Sequence, residues 1–173
     1  MRVFDQTVLG IWPDEWHQMI SEVINGFRLN LNGIHGIPHW SRVLTNAIRL
    51  SEDTGANHRV LTAFALLHDS QRENDGFDPE HGLRGAEYGR TIRARMPSMS
   101  DVEFDLFFEA AEYHSEGLVE ADVSVQTCWD ADRLDLFRVG IYPDPRYLCT
   151  EIARRTDVIE WAVARSGCDD VGA

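Results

Sequence analysis

The sequence predicts an all-α protein of about seven helices. Two observations support this fold class: apolar residues recur at helical spacing in successive windows, and few windows alternate with the period of two that indicates a strand. The 173 residues are 43% apolar and 10% aromatic, which is typical of a globular domain and argues against disorder. Because this length matches one ordinary domain, we expect residues 1–173 to form a single domain.

The first four predicted helices occupy the first half of the chain. They span 14–29, 38–53, 58–71 and about 80–95. Pro38 lies in the first turn of the second helix, Gly55 ends it, and Asn57 caps the third helix. The run from Ala63 to Leu67 in the third helix is apolar on every side, which indicates a buried helix.

The last three predicted helices follow Pro97. They span 100–114, 124–138 and 146–165. Ser100, with Glu103 three residues later, is typical of a capping box at a helix start. Pro143 and Pro145 separate the last two helices. We expect the aromatic residues of the first and last helices to lie in the core: Trp16, Phe27, Tyr147 and Trp161.

The charge composition excludes several classes of function. All 16 basic residues are arginine, so Schiff-base chemistry and a phosphate-binding lysine are excluded. The 29 acidic residues give a net charge of −13, and such a chain repels nucleic-acid phosphates and anionic membranes. Residues 101–135 hold eleven Asp and Glu against one arginine, which is typical of a solvated acidic face. We therefore expect no nucleic-acid and no membrane partner.

The cysteines and the apolar runs bear on the compartment. Cys128, Cys149 and Cys168 are odd in number and form no CxxC pair, so we expect reduced thiols in a cytoplasmic protein. The first 16 residues lack the pattern of a signal peptide. No stretch approaches the 18 or so consecutive apolar residues of a membrane-spanning helix.

The pair His68-Asp69 is the first candidate for chemistry. It follows the apolar run of the buried third helix, where an ionised carboxylate is costly unless it is paired or binds a metal. The neighbouring histidine offers a second ligand of a type that zinc, iron and manganese accept. A hydrogen-bonded polar pair at a helix end is the structural alternative. Three more histidines, His39, His81 and His114, also lie at predicted helix ends or first turns.

Three aspartates follow in the segment DADRLD. Asp132 and Asp135 are three residues apart and share one face of a helix, whereas Asp130 points elsewhere. Asp135 is a candidate partner of a metal ligand or of an arginine, and we expect Asp130 to be exposed or to cap backbone. His35, four residues before His39, is expected to be a loop histidine at a pocket rim.

These residues resemble a known family. The order His39, His68-Asp69, Asp132 resembles the H…HD…D pattern of the HD superfamily of metal-dependent phosphohydrolases. HWSRV, LLHDSQR and DADRLD resemble its successive motifs, over about residues 34–140, with helical extensions at both ends. The resemblance implies an HD-domain helical bundle in which these four residues hold a divalent ion. Histidine and aspartate ligands accept iron, manganese, cobalt, nickel or zinc.

A second resemblance concerns the segments HGLRGAEY and EYHSEG. They are similar to parts of the HD-GYP phosphodiesterases, which implies that His81 and His114 hold a second ion and that Asp69 bridges the two. The chain lacks a second histidine directly after His114, and its GIYP sequence at 140–143 follows Asp132. Cyclic-dinucleotide specificity is therefore not implied, and the number of ions, one or two, stays open.

The resemblance implies hydrolysis of a small phosphate mono- or diester, of nucleotide-like type, by metal-activated water at Asp69, His81 and His114. Divalent metals lower the pKa of bound water to about 7. In a chain without lysine, arginines must contact the phosphate, and four lie near the motifs: Arg42, Arg72, Arg84 and Arg133. The alternatives are an HD-fold diiron oxygenase and a non-catalytic module that binds a nucleotide or metal. Oligomeric state stays open.

Overall fold

The structure is a computed structural model and describes residues 10–167. Within that range the chain is helical, without a strand. The seven α-helices are α1 (His17–Gly26), α2 (Ile37–Thr54), α3 (His58–Leu67), α4 (His81–Ile92), α5 (Asp101–Tyr113), α6 (Val123–Arg133) and α7 (Thr156–Ser166). The predicted fold class and number of helices are therefore confirmed.

Helix α3 lies at the centre of the bundle. All eight of its residues from Val60 to Leu67 are buried, as the apolar run predicted. Helices α1, α2, α4, α5 and α6 contact it. The Asn57 side chain accepts hydrogen bonds from the N–H groups of Arg59 and Val60 and so starts the helix. Because a helix that is apolar on every side must be covered on every side, α3 organises the bundle around itself.

The outer helices pack in pairs around this centre. Helix α2 lies against α6, and α4 lies against α5. Pro38 is in the first turn of α2, and Gly55 ends that helix in the left-handed conformation, with φ of 70°. Ser100 and Glu103 form the predicted capping box at the start of α5. These local signals were readable because each depends on neighbouring residues alone.

Four helices end earlier than the periodicity predicted: α1 ends at Gly26 rather than 29, α4 ends at Ile92 rather than about 95, and α3 and α6 also end early. Helix α3 ends at Leu67 rather than 71, so His68 and Asp69 lie in the turn that follows it. Helix α6 ends at Arg133, and a 3₁₀ turn at Leu136–Val139 replaces the rest of the predicted sixth helix. The residues of the sequence motifs thus sit at helix ends, where backbone direction changes.

The prediction of a seventh helix over 146–165 is wrong in its first half. Only a 3₁₀ turn at Pro145–Tyr147 forms there, and α7 begins at Thr156. The fully buried Asp130 carboxylate accepts hydrogen bonds from the N–H groups of Cys149 (2.6 Å) and Thr150 (2.8 Å) and from the Thr150 hydroxyl (2.7 Å). Because the Asp130 carboxylate on α6 binds these N–H groups, the backbone at Cys149 and Thr150 is held in a turn. Asp130 therefore caps backbone, as one of its two expected roles, and is not exposed.

The four aromatic residues expected in the core differ in how far they are buried. Trp16 and Phe27 are buried, as predicted. Trp161 is only partly buried and lies under the guanidinium groups of Arg49 and Arg165. For Tyr147 the prediction is wrong: its side chain is 58% exposed, because the turn that replaces the predicted helix directs it outward.

Two expectations about compartment bear on the described residues. No helix among residues 10–167 combines the length and apolar character needed to cross a membrane. Cys128 and Cys149 are buried free thiols. Cys168 and the first nine residues of the chain lie outside the described residues.

Candidate metal centre

The predicted metal ligands come from five helix ends. His39 lies in the first turn of α2, and His68 and Asp69 follow the last residue of α3. His81 is the first residue of α4, His114 follows the last residue of α5, and Asp132 lies in the last turn of α6. The structure brings all six side chains together beneath one cavity, although they are spread over 94 positions of sequence from 39 to 132.

One half of the cluster contains His39, His68, Asp69 and Asp132. The Nε2 atoms of His39 and His68 are 3.1 Å apart. His39 Nε2 is 3.5 Å from Asp69 Oδ2 and 3.3 Å from Asp132 Oδ1. His68 Nε2 is 3.7 Å from the same Asp69 oxygen and 3.8 Å from the same Asp132 oxygen. Both Nε2 atoms therefore lie within 3.8 Å of an oxygen of each carboxylate.

The other half of the cluster contains His81 and His114 with the second oxygen of Asp69. The Nε2 atoms of the two histidines are 2.8 Å apart. Asp69 Oδ1 lies 3.3 Å from His81 Nε2 and 3.7 Å from His114 Nε2. Asp69 thus presents one carboxylate oxygen to each half of the cluster.

The remaining ring nitrogen of each histidine fixes its tautomer. Each Nδ1 faces an oxygen that can only accept, so Nδ1 carries the hydrogen and Nε2 keeps a lone pair. The acceptors are the Asp135 carboxylate for His39 (2.7 Å) and the main-chain carbonyls of Phe64 for His68 (2.9 Å), Ala111 for His114 (2.7 Å) and Asp78 for His81. All four Nε2 lone pairs therefore point into the cluster.

This donor set fits divalent metal ions. Two facing lone pairs at hydrogen-bond distance repel unless a proton or a cation lies between them. Two nitrogens that bind one ion at about 2.1 Å and at right angles are about 3.0 Å apart, close to both observed histidine separations. Each Nδ1–H bond to an oxygen is also the supporting contact that metal-bound histidines usually make.

The charges inside the cluster suit a cation. Burial lowers the pKa of His68 to about 3, and burial together with His114 lowers the pKa of His81. Burial alone would raise the pKa values of Asp69 and Asp132, but the surrounding histidines hold both below the usual range. His114 differs: burial lowers its pKa, yet its bond to Asp69 and the nearby carboxylate charges raise it overall. Neutral imidazoles and ionised carboxylates are the forms that bind metals, so a metal displaces any proton on His114.

Two glycines allow α4 to approach the cluster. A Cβ at Gly85 would lie 2.5 Å from the Leu67 carbonyl oxygen and 2.8 Å from that of His68. A Cβ at Gly82, on the same face, would meet the carbonyls at the end of α5. Because both glycines lack a side chain, the start of α4 packs directly on backbone, and His81 reaches Asp69 and His114.

Asp135 holds His39 from outside the cluster. Its carboxylate accepts from His39 Nδ1 (2.7 Å), Arg42 Nε (2.7 Å) and the Ser166 hydroxyl (2.7 Å). The sequence indicated either a metal ligand or an arginine as the partner of Asp135, and the structure shows both, His39 and Arg42. Helix α7, through Ser166, supports the same carboxylate.

A cavity of about 600 Å³ opens above the cluster. Asp69, His81, His114 and Asp132 line its floor, and His35 lines its side. His35 is a buried loop histidine whose Nδ1 lies 3.0 Å from Asp75 Oδ1. It precedes α2 and reaches the pocket, as the sequence indicated.

Of the four arginines predicted to contact the substrate, two line the cavity and two do not. Arg72 and Arg133 line the cavity, whereas Arg42 and Arg84 are not among its lining residues. Arg84 instead donates to Asp78 at 2.6 Å, and Arg42 donates to Asp135. The spacing of one helical turn from a histidine placed Arg42 and Arg84 near the motifs, but buried carboxylates engage both guanidinium groups.

The sequence reasoning missed other lining residues. Arg138 lines the cavity and donates to the Ile34 carbonyl (2.8 Å), and apolar side chains such as Leu136 and Ile141 also line it. The missed residues belong to the segment GIYPDPRY and its flanks, where a glycine and two prolines signalled an irregular backbone. That signal predicts a turn but not the direction of its side chains.

An all-helical bundle whose helix ends carry a His, His-Asp and Asp cluster is the arrangement that the motifs predicted, and the comparison of solved structures confirms the resemblance to the HD superfamily. The chain is similar to the crystal structure of a "predicted HD superfamily hydrolase" from an uncultured Thermotogales bacterium. The identity is 25% over 93% of this chain and 92% of that chain, with a TM-score of 0.68. No family model and no curated protein matches the chain.

Proposed function

We propose that this protein is a metal-dependent hydrolase that cleaves a small phosphate mono- or diester of nucleotide-like type at a centre of two divalent ions. The single observation that carries the proposal is Asp69, whose two oxygens face two separate pairs of histidine Nε2 atoms. The similarity to a protein titled a predicted HD superfamily hydrolase supports a hydrolase in general.

The chain supplies distinct ligands for each ion. His39, His68 and Asp132 would hold the first ion together with one oxygen of Asp69. His81 and His114 would hold the second with the other oxygen. Divalent ions at such a centre supply activated water at neutral pH and positive charge for a phosphoryl group.

Arginine side chains in the cavity would orient the phosphate. Arg72 lies 3.4 Å from Asp69 Oδ1 and is held by the Gly76 carbonyl (2.9 Å), so its guanidinium group is fixed beside the cluster. Arg133 and Arg138 are likewise anchored by carbonyl groups. Arginine suits this role because its planar fork pairs with phosphate oxygens.

The test combines metal content with two activities. The protein is purified without chelator, its metal is counted, and portions freed of metal are reloaded with one divalent metal each. Phosphate release is then measured with aryl mono- and diesters and with nucleotides. Asp69→Asn is compared with Asp105→Asn, a change at an exposed carboxylate of α5.

We expect about two ions per chain and phosphate release that Asp69→Asn abolishes and Asp105→Asn leaves unchanged. Oxygen consumption by the iron-loaded protein, without hydrolysis, would establish the diiron oxygenase instead. A protein that takes up no manganese or iron would contradict the catalytic proposal and leave a binding module.

A further inference from the structure

Part of the lining of the cavity that contains the metal cluster is an exposed apolar surface. It is formed by residues 136–148, here called the aromatic wall. Four of its large side chains are strongly exposed: Val139 (40%), Ile141 (54%), Tyr142 (55%) and Tyr147 (58%). All four line the cavity together with Leu136 and Leu148. Exposed apolar side chains that line a cavity together with a few polar groups are typical of a binding site.

The backbone of the aromatic wall is fixed by its own turn. Gly140 adopts φ of 80° and donates to the Phe137 carbonyl at 2.9 Å, and Ile141 donates to the Leu136 carbonyl at 3.2 Å. Left-handed backbone favours glycine, so this turn is specified by the sequence. The Phe137 ring packs edge-on against the Tyr142 ring, with centroids 6.3 Å apart.

Contacts from helix α6 hold the other end of the wall. Arg133 donates to the Tyr147 carbonyl at 2.6 Å, and Asp130 holds the N–H groups of Cys149 and Thr150. Pro143 and Pro145 further restrict the chain between the two tyrosines. The exposed rings are thus presented on a fixed backbone, which lowers the entropy lost when a ligand binds.

The wall and the metal cluster share one cavity. Its volume of about 600 Å³ far exceeds the size of a phosphate group and lies in the range that holds a drug-sized ligand. A substrate whose phosphoryl group lies at Asp69 would extend its remaining part along the wall. The three charged groups of the wall are engaged: Asp144 pairs with Arg146 at 2.6 Å, and Arg138 donates to the carbonyls of Ile34 (2.8 Å) and Asp135 (3.2 Å). The wall therefore matches an uncharged, flat group.

We propose that the aromatic wall is the subsite for a planar aromatic ring of the substrate, of the nucleobase type, and that Tyr142 and Tyr147 determine this specificity. The inference rests on the proposed function, because the phosphoryl group is placed at the metal cluster. Stacking of a ring on an aromatic side chain contributes about 1–3 kcal/mol per base, equivalent to roughly 5- to 150-fold in affinity.

The experiment compares two probes that differ only in the ring. Phenylphosphonate and methylphosphonate carry the same charged group and are not hydrolysed, so binding to the manganese-loaded protein is measured by calorimetry. We expect phenylphosphonate to bind at least about fivefold more tightly. Tyr142→Ala and Tyr147→Ala reduce this ratio towards one, and Tyr147→Phe retains it. Phe77→Ala, at a 90% exposed ring that does not line the cavity, is the matched control and retains the ratio.

A second pair of probes separates this inference from the proposed function. Adenosine and ribose lack phosphate, so binding of adenosine alone, lost in Tyr142→Ala, supports the wall even if neither phosphonate binds and the phosphate site fails. Equal affinities for the two phosphonates in the wild-type protein overturn the inference, as does a wall that binds no ring-bearing probe. A change of oligomeric state caused by the tyrosine variants also overturns it, because the wall is then an interface between copies.

Discussion

At the scale of single residues, the centre depends on how each ligand is held. Four histidines direct Nε2 inward because an oxygen accepts the hydrogen of each Nδ1. Three of these acceptors are main-chain carbonyls of the turn or helix that carries the histidine. The fourth, Asp135, comes from a distant part of the sequence and adds a negative charge behind His39.

Replacing His114 tests the division of the cluster into two halves. In His114→Ala the second half keeps only His81 and one oxygen of Asp69, too few ligands to hold an ion. We expect the metal content to fall from about two ions per chain to about one. His58→Ala, at a histidine that bonds Ser51 outside the cluster, is the control and keeps the full content. Two ions retained in His114→Ala would contradict the proposed ligand set.

Replacing Asp135 tests its support of His39. Asp135→Asn keeps the shape of the side chain but removes the charge that Nδ1 of His39 and Nε of Arg42 face. Loss of such a partner typically lowers metal affinity about 10–100-fold, and we expect a loss in that range. Competition with a chromophoric chelator measures it, with the exposed Asp157→Asn as control. Unchanged affinity would assign Asp135 to packing alone.

At the scale of elements, the candidate ligands lie at helix ends, and glycines allow those ends to approach one another. Helix α4 packs directly on the backbone at the ends of α3 and α5 because Gly82 and Gly85 have no side chain. This close approach brings the half with His81 and His114 to Asp69.

Two Gly→Ala variants test how much the close packing of α4 contributes to the stability of the protein. In Gly85→Ala the new Cβ meets two carbonyl oxygens, at 2.5 and 2.8 Å, so α4 must move and the protein loses about 1–3 kcal/mol of stability. In Gly26→Ala, at the end of α1, the nearest atom is 3.8 Å away and the helix gains up to about 1 kcal/mol. Denaturant unfolding measures both changes. A stabilised Gly85→Ala would contradict the close packing of α4.

Some helices and turns could be predicted from the sequence, and others could not. The helix starts at Asn57 and Ser100 and the buried α3 were predictable because their signals lie within a few residues. The turn at Cys149 and Thr150 was not, since the carboxylate that stabilises it belongs to Asp130 on another helix.

In the candidate site, too, some features were predictable from the sequence and others were not. The six candidate ligands were identified because their motifs resemble a family, and the structure brings their side chains together, while their role as metal ligands stays a prediction. Arg138 and the aromatic wall were missed because their directions depend on a 3₁₀ turn and on Gly140, and helical periodicity describes neither.

At the scale of the whole molecule, the buried carboxylates would make the stability of the folded protein depend on bound metal ions. Asp69 is buried and Asp132 is mostly buried, in a chain whose net charge is −13. Ions that bind the folded state and not the unfolded chain raise its stability by mass action.

Metal removal should therefore lower the melting temperature. At a metal concentration 1,000 times the dissociation constant, binding of one ion contributes about 4 kcal/mol. For a protein of this size each kcal/mol corresponds to about 2–4 °C. Calorimetric scans with manganese and with chelator measure the shift, and magnesium, which binds histidine poorly, is the control. Equal melting temperatures in manganese and chelator would contradict a metal centre in the bundle.

The shared carboxylate of Asp69 has a thermodynamic consequence. With one oxygen directed to each half, two ions held as proposed are not independent, because the first fixes the orientation of a ligand that the second requires. Linkage then demands that each ion change the affinity for the other by the same factor, whichever arrives first. A titration curve for such a centre departs from that of two separate sites, and the ions exchange as a coupled pair.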